Sequence, residues 1–427
     1  MHFPILEQTL RSNGQYEKTL NSIRGSINTD NVVPDQLVPF FIYAVWKDLG
    51  KDIVIVTPDE SQASKLFSQI KIWADNSDPI LIFPESDSLT YERTKPEPNI
   101  TQNRLQLLSS LTKHPNSNKL IIASVSSLQQ KTLDKELFVK LTHTLTIDSK
   151  LSMASQIERL LDSGYVSTPI VNSPGFFNKR GGILDIFSPQ NENPHRIEFF
   201  GNNIDSIRSF DSETQISINP MDKITICPAS EALLFSANEE SKIKLLDNLD
   251  FSNCKESIRT RFINEITYIK NKLEFDEINF YSTILCDGYL LDYINPNSKV
   301  ILYRPSEIEE QVKNLESHYS ELRQIKIERG EIPLNFPELH HQWQDINKLI
   351  EKTFSLNSIS PWEKAESIKN NLKTNTFSIE FMNSKKDLPI LLKKYIQQNK
   401  QVLALTSSPA RFAEILEEHK IDSKIYS

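Results

Sequence analysis

The sequence is poor in glycine, with 10 in 427 residues, where an average protein carries about 7%. That scarcity leaves little room for the loops whose backbone N–H groups converge on a nucleotide's phosphates, and no GK[ST] sequence occurs. Cysteine is scarcer still. Cys227, Cys254 and Cys286 are too few and too widely spaced for a disulfide framework or a pair of metal-binding couplets, which points to a reducing cytoplasm. No apolar run approaches the roughly 20 residues of a membrane span. The opening MHFPILEQTLRSNGQ lacks both a basic cap and a long apolar core, so no secretory signal is expected. An excess of positive charge is also missing: the net charge of -8 excludes a chain that coats nucleic acid indiscriminately, though not a local basic face.

What is present is an ordinary soluble balance, 24% charged and 38% hydrophobic, at a length that suggests about three domains. Residues 1 to about 30 read as a short helix and a loop. Leu37–Leu49 reads as a buried helix ended by Gly50. Ile53–Thr57 is a buried strand, and Ala63, Leu66, Phe67, Ile70 and Trp73 repeat at helical spacing after it. Pro79–Phe83 is a second strand, Leu105, Leu107, Leu108 and Leu111 mark a helix, and Leu120–Val125 is a third strand. This alternation predicts a doubly wound α/β layer with a mostly parallel sheet. A nucleotide would bind before the helix at Leu37, yet Asn28–Phe40 contains two prolines and no glycine. Lys47 comes too late in the helix to serve phosphates. No ATP site is expected.

Four of the glycines, Gly175, Gly181, Gly182 and Gly201, fall in one stretch from Pro174 to Asp211. Between them run Gly182–Phe187, Arg196–Phe200 and Ile204–Phe210. In Arg196–Phe200 apolar and charged residues alternate with the period of a half-buried strand. Gly201-Asn202-Asn203 suits a hairpin turn. The stretch predicts a small antiparallel sheet with arginines and acids on one face. Arg180, Arg196 and Arg208 beside Glu198 and Asp205 suit a protein surface, because arginine's planar donors pair bidentately with carboxylates.

RGGILDIF, then RIEFFGNNIDSIRSFD and Glu213–Gln215, together resemble the bacterial transcription-repair coupling factors and, more distantly, the UvrB subunit of nucleotide excision repair. Phe83–Glu92, the Arg104 helix and Leu290–Pro305 fall in the same family's order. The resemblance implies a UvrB-like doubly wound parallel-sheet domain (residues 1–130 and 212–345) whose phosphate loop has decayed. It also implies an inserted α+β domain (131–211) that binds UvrA, and a small α/β domain (346–427). The residues it implies as UvrA contacts are Arg180, Arg196, Glu198 and Phe187. Where the family often carries an arginine after Gly-Tyr, this chain has Val166. The family's full-length members continue into an RNA-polymerase-interacting domain and an ATP-driven translocase on double-stranded DNA. The chain is expected to stop before both, and so to be a cytoplasmic, non-catalytic adaptor without cofactor or metal. A UvrB-like DNA-loading ATPase and a scaffold-only remnant are the alternatives.

Elsewhere the chemistry is thin. Asp87, Glu92 and Glu97 read as a solvated loop rather than a metal cluster. Asp292 has no phosphate loop to serve. Met153, Ile157, Leu160 and Leu161 stripe a helix capped by Asp148 or Ser149 and ended by Gly164. Ile224–Cys227 is a strand, Pro228–Phe235 starts a helix, and Ile258–Leu273 contains another. Val300–Tyr303 is a strand, and Ile308, Val312, Leu315 and Tyr319 mark the helix after it. The adjacent His340 and His341 make a poor chelating pair and read as surface or interface residues. Beyond about 345, Phe377–Phe381 and Val402–Thr406 read as strands, and Leu388–Ile396 and Phe412–Leu416 as helices.

Overall fold

The computed structural model describes residues 4–25, 29–87, 91–94, 96–113, 117–234, 239–273, 275, 277–360, 370–371, 388–398 and 408–423. The chain opens with two helices, Pro4–Arg11 and Gly14–Arg24, rather than a helix and a loop. Asn13 separates them and caps the second, its side chain accepting from the Gln15 N–H. Strand β1 (Thr29–Val32) follows, and its TDNV sequence gives no apolar alternation by which to read it. β2 (Ile53–Thr57), β3 (Ile80–Phe83) and β4 (Leu120–Ser124) come next, interleaved with helices Val38–Leu49, Glu60–Lys71 and Pro98–Lys113. β2 and β4 are buried at every position, which is why both read as unbroken apolar runs.

The inserted unit begins with β5 (His143–Thr146) and the helix Met153–Asp162. That helix is capped by Ser152, whose Oγ accepts from the Ser155 N–H. Asp148, one of the two expected caps, sits instead at φ 65° in the turn after β5. Then follow β6 (Val166–Ser167), β7 (Phe176–Arg180), β8 (Ile183–Ile186), β9 (His195–Phe200), β10 (Asn203–Phe210), β11 (Ser217–Pro220) and β12 (Lys223–Ile226). Six of these form one sheet in the order β11-β10-β9-β8-β7-β6. Every pair in it is antiparallel except β6 with β7. β12 pairs with β5 in a separate ribbon. The inner face of the six-stranded sheet, with Leu184, Ile197 and Ile207, packs on Leu160 of the helix and on Leu145 and Ile224 of the ribbon. Pairing through β11 and β12 carries this unit past the expected boundary at 211, at least to Ile226. The strand near Ile224 therefore belongs to it and not to the returning α/β layer.

Residues 228–234 are irregular, not helical as expected from Pro228 onward. Gly164, at the end of the Met153–Asp162 helix, explains their course. It adopts φ +80°, and a Cβ there would lie 2.8 Å from Ser230 Cβ, so the returning chain presses against a position only glycine fits. Helices Glu239–Asp247 and Glu256–Lys270 lead to an aromatic cluster of Phe262, Phe280, Tyr281 and Phe336. β13 (Lys299–Tyr303), helices Pro305–Glu328 and Trp343–Thr353, β14 (Ser355–Ser360) and β15 (Asn370–Asn371) then complete the first sheet.

That sheet is parallel throughout, in the order β15-β1-β14-β13-β2-β4-β3. The expected α/β architecture with a separate antiparallel region is what forms. Its third unit, however, does not begin at 346: β14 lies between β1 and β13 in the middle of the sheet. Helices Leu388–Gln397 and Pro409–Glu418 share a small cluster of Leu392, Leu416 and Ile421. The expected strands Phe377–Phe381 and Val402–Thr406 lie outside the described residues. No described helix is long and apolar enough to cross a membrane.

Candidate functional site

Ligands of open parallel sheets bind beyond the carboxyl ends of the strands. Here the turn between β1 and the helix Val38–Leu49 carries Asp35 at that place. One Asp35 oxygen accepts from the Tyr303 hydroxyl at 2.9 Å and the other from Arg304 Nη2 at 2.5 Å. Arg304 holds φ 62° at the end of β13 and also reaches Glu307 at 2.7 Å. A carboxylate thus occupies this turn, paired with the arginine that follows β13. Lys47 is turned elsewhere, against Asp78 at 2.5 Å and over the ring of Trp46. Asp292 accepts from the backbone N–H of Tyr289 and closes a turn. Asp87 accepts from the Glu97 N–H, and Glu92 pairs with Lys326.

The alternation of the strands places the predicted residues on the outer face of the six-stranded sheet, opposite the face that packs on Leu160, Leu145 and Ile224. β7 and β8 join through Gly181-Gly182, with Arg180 opposite Ile183. Gly181 adopts φ +59°, as a tight hairpin requires, and a Cβ on Gly182 would approach the Phe199 carbonyl oxygen to 3.0 Å. In the next register Asp185 lies opposite Arg196 and Ile183 opposite Glu198, and in the one after Arg208 lies opposite Arg196.

This register builds two charge clusters. Asp185 has a side chain only 2% exposed, and it accepts from Arg180 Nη2 at 2.9 Å and from Arg196 Nε at 2.7 Å. Arg196 adds a second bond to Asp185 at 3.0 Å and stacks over Phe210 at 4.6 Å. The hydrogen bond to Asp185 holds its guanidinium pKa above the ordinary value. Glu198 accepts from Ser206 Oγ at 2.9 Å and from Arg208. Asp205 lies where the β9–β10 register shifts, exposed and outside both clusters.

The four residues expected to touch a partner therefore divide. Arg180 is 59% exposed even while it holds Asp185, so most of its guanidinium remains available. Glu198 and Arg208 are partly exposed as a pair. Arg196 is 17% exposed and spent on Asp185. Phe187 is 6% exposed and packs with Val171 and Phe210 in a small cluster that covers one end of the outer face. It is a core residue and offers no contact. Phe187 closes an apolar run, and nothing local to that run separates a ring pointing outward from one covered by the loop at Val171. Val166 is exposed on the edge strand.

Two features escaped sequence reading. Phe200, the end of β9, is 80% exposed on the same outer face; its place at the tip of an alternating strand was the available signal. Arg104 is 1% exposed and ties three segments together. It reaches Glu231 at 3.0 Å, the Pro84 carbonyl at 2.8 Å and Gln130 at 3.1 Å, over the Phe83 ring. His340 and His341, expected as surface or interface residues, are half-buried. They stack on Tyr319 and Tyr289 with ring centroids 3.9 and 3.6 Å apart.

Residues 144–231 match the family described as the UvrB interaction domain, a span that contains the six-stranded sheet and both charge clusters. Over longer stretches the chain is similar to curated transcription-repair-coupling factors. It is 26% identical to that of Bacillus subtilis (strain 168) over 68% of this chain and 25% of the relative. It is 32% identical to that of Rickettsia bellii over 49% and 18%, and 27% identical to that of Staphylococcus haemolyticus over 77% and 28%. The resemblance read from the sequence thus extends over most of the chain. The chain spans 18% to 28% of the length of these three relatives.

Proposed function

We propose that this chain is an adaptor in transcription-coupled nucleotide excision repair, and that the outer face of its six-stranded sheet recruits UvrA to lesions where RNA polymerase has stalled. The observation that carries the reading is Arg180. It stands at a diglycine hairpin, aimed by a buried carboxylate and still mostly exposed, inside the segment that matches the UvrB interaction domain. Asp185 restricts the rotamers of Arg180, so less conformational entropy is lost when the guanidinium meets a partner's carboxylate. Arg196 contributes from below, by neutralising Asp185. Glu198 and Arg208 supply a second pair at the rim.

The chain itself performs no reaction in this account and binds no nucleotide. Asp35, bonded to Tyr303 and Arg304, occupies the turn where phosphates would lie, and like charges there repel. ATP hydrolysis, double-stranded DNA and RNA polymerase are assigned to the parts of coupling factors that this chain does not match. Work on a cytoplasmic repair pathway accords with its three free cysteines.

The test is a titration of the full chain with UvrA from the same organism, beside Arg180→Ala. Binding at micromolar affinity or tighter should weaken at least tenfold in the variant, about 1.4 kcal/mol, with the unfolding midpoint unchanged. A folded wild-type chain that does not bind UvrA would sink the proposal. Saturable ATP binding in a parallel titration would favour a DNA-loading ATPase instead.

A further inference from the structure

Phe200 contributes little apolar burial to the fold. Its ring is the most exposed of the large apolar side chains among the described residues, at 80%. Its strand neighbour Phe199, on the inner side, packs against the unit's core. The geometry keeps the outer ring bare. Phe199 donates to the Gly182 carbonyl, which sets Phe200 level with Gly181, and a Cβ on Gly181 would meet nothing within 4 Å. On its other side Phe200 is paired with Asn203 at the start of β10. The diglycine that turns the β7–β8 hairpin thus leaves one flank of the ring open.

Arg180 lies on the same face. It is across from Ile183, which is across from Glu198, and Phe200 is the next outward position beyond Glu198 on β9. Strand spacing and rise put their backbones roughly 12 Å apart, within the core of one interface. A bare aromatic ring beside a held arginine is the composition of an interface hot spot: the ring buries large area with few rotors to freeze, and the arginine supplies direction.

We propose that Phe200 is the apolar anchor of the UvrA-binding face and inserts into a recess on the partner that lies beside the carboxylate taken by Arg180. This rests on the reading of the face given above. The partner surface is thereby specified as an apolar pocket flanked by an acid, and not a uniformly acidic patch.

The experiment titrates UvrA into the full chain carrying Phe200→Ser, Phe200→Trp or Arg180→Ala, at low and at high salt. Phe200→Ser should weaken binding at least tenfold at both salt concentrations, whereas the loss in Arg180→Ala should shrink as salt rises. Phe200→Trp should retain most of the affinity. The unfolding midpoint of Phe200→Ser should equal the wild type's, because the ring is 80% exposed. Wild-type affinity in Phe200→Ser with weakened Arg180→Ala would overturn the anchor and leave the face standing. No binding by the wild type would remove both. A lowered midpoint, or a dimer of the chain alone that Phe200→Ser dissociates, would assign the ring to folding or to a second copy and overturn the proposal.

Discussion

Arg104 and Arg196 show what an arginine does when the fold encloses it, and Arg180 what it does when the fold only aims it. Arg104, 1% exposed, has its charge met by Glu231 through Nε, while its Nη1 donates to the Pro84 carbonyl and to Gln130 Oε1. Removing one partner of a buried pair strands the other, a cost of about 3–5 kcal/mol. Arg104→Ala should therefore cost the chain unfolding free energy of that order, read by equilibrium unfolding as a lower urea midpoint. An unchanged midpoint would mean that Glu231 finds water or another cation. None of these roles was separable at the level of residue type. The arginine before the diglycine was singled out by the family resemblance, and the structure sets it at a hairpin tip. That Arg196 would be used up on Asp185, and Phe187 covered by Val171, depends on cross-strand register and on a loop returning over the sheet. Neither leaves a local mark.

Elements with strong periods were legible: β2, β4, the helix Val38–Leu49 and the β9–β10 hairpin stand where their patterns place them. β1 and β14 were not, because their sequences TDNV and SLNSIS are mostly polar and they become strands through the sheet they complete. Buried Asn31 shows how such a strand is tolerated, its side chain donating to the Ser358 carbonyl at 3.0 Å. The segment at His340 and His341 is a further element defined only by tertiary contact. It lays two imidazoles flat on Tyr319 and Tyr289, near Lys131, with Asp287 and Asp345 facing His341. Burial pushes both pKa values down to about 4 from 6.5. The unfolded chain takes up protons between those values and the folded chain does not. Stability is therefore complete above about pH 6.5 and is lost progressively as pH falls towards 4. The urea midpoint should drop between pH 7 and pH 5, and the drop should be smaller in a His340→Phe, His341→Phe double variant. An equal drop in both proteins would place the titration elsewhere, His195 being the next buried imidazole.

At the scale of the molecule, two sheets divide the work. The parallel sheet takes strands from both the early and the late parts of the described chain. The inserted sheet hangs on it through Arg104 with Glu231 and through Ser109 with Gln190 at 2.6 Å, and its inner face is spent on folding; the proposed function assigns its outer face to a partner. The fold class was visible in the order of strands and helices, and the insertion was implied by the family resemblance. The extent of each unit was not, since β12 and β14 are assigned by pairing partners far away in sequence. The most direct measurement is amide hydrogen exchange on the full chain with and without saturating UvrA. Protection should appear at residues 180–184 and 196–203, on the two hairpin tips, with the parallel sheet unchanged. Protection confined to the parallel sheet or to the Leu388–Gln397 and Pro409–Glu418 helices, with the tips exchanging as in the free chain, would contradict the account.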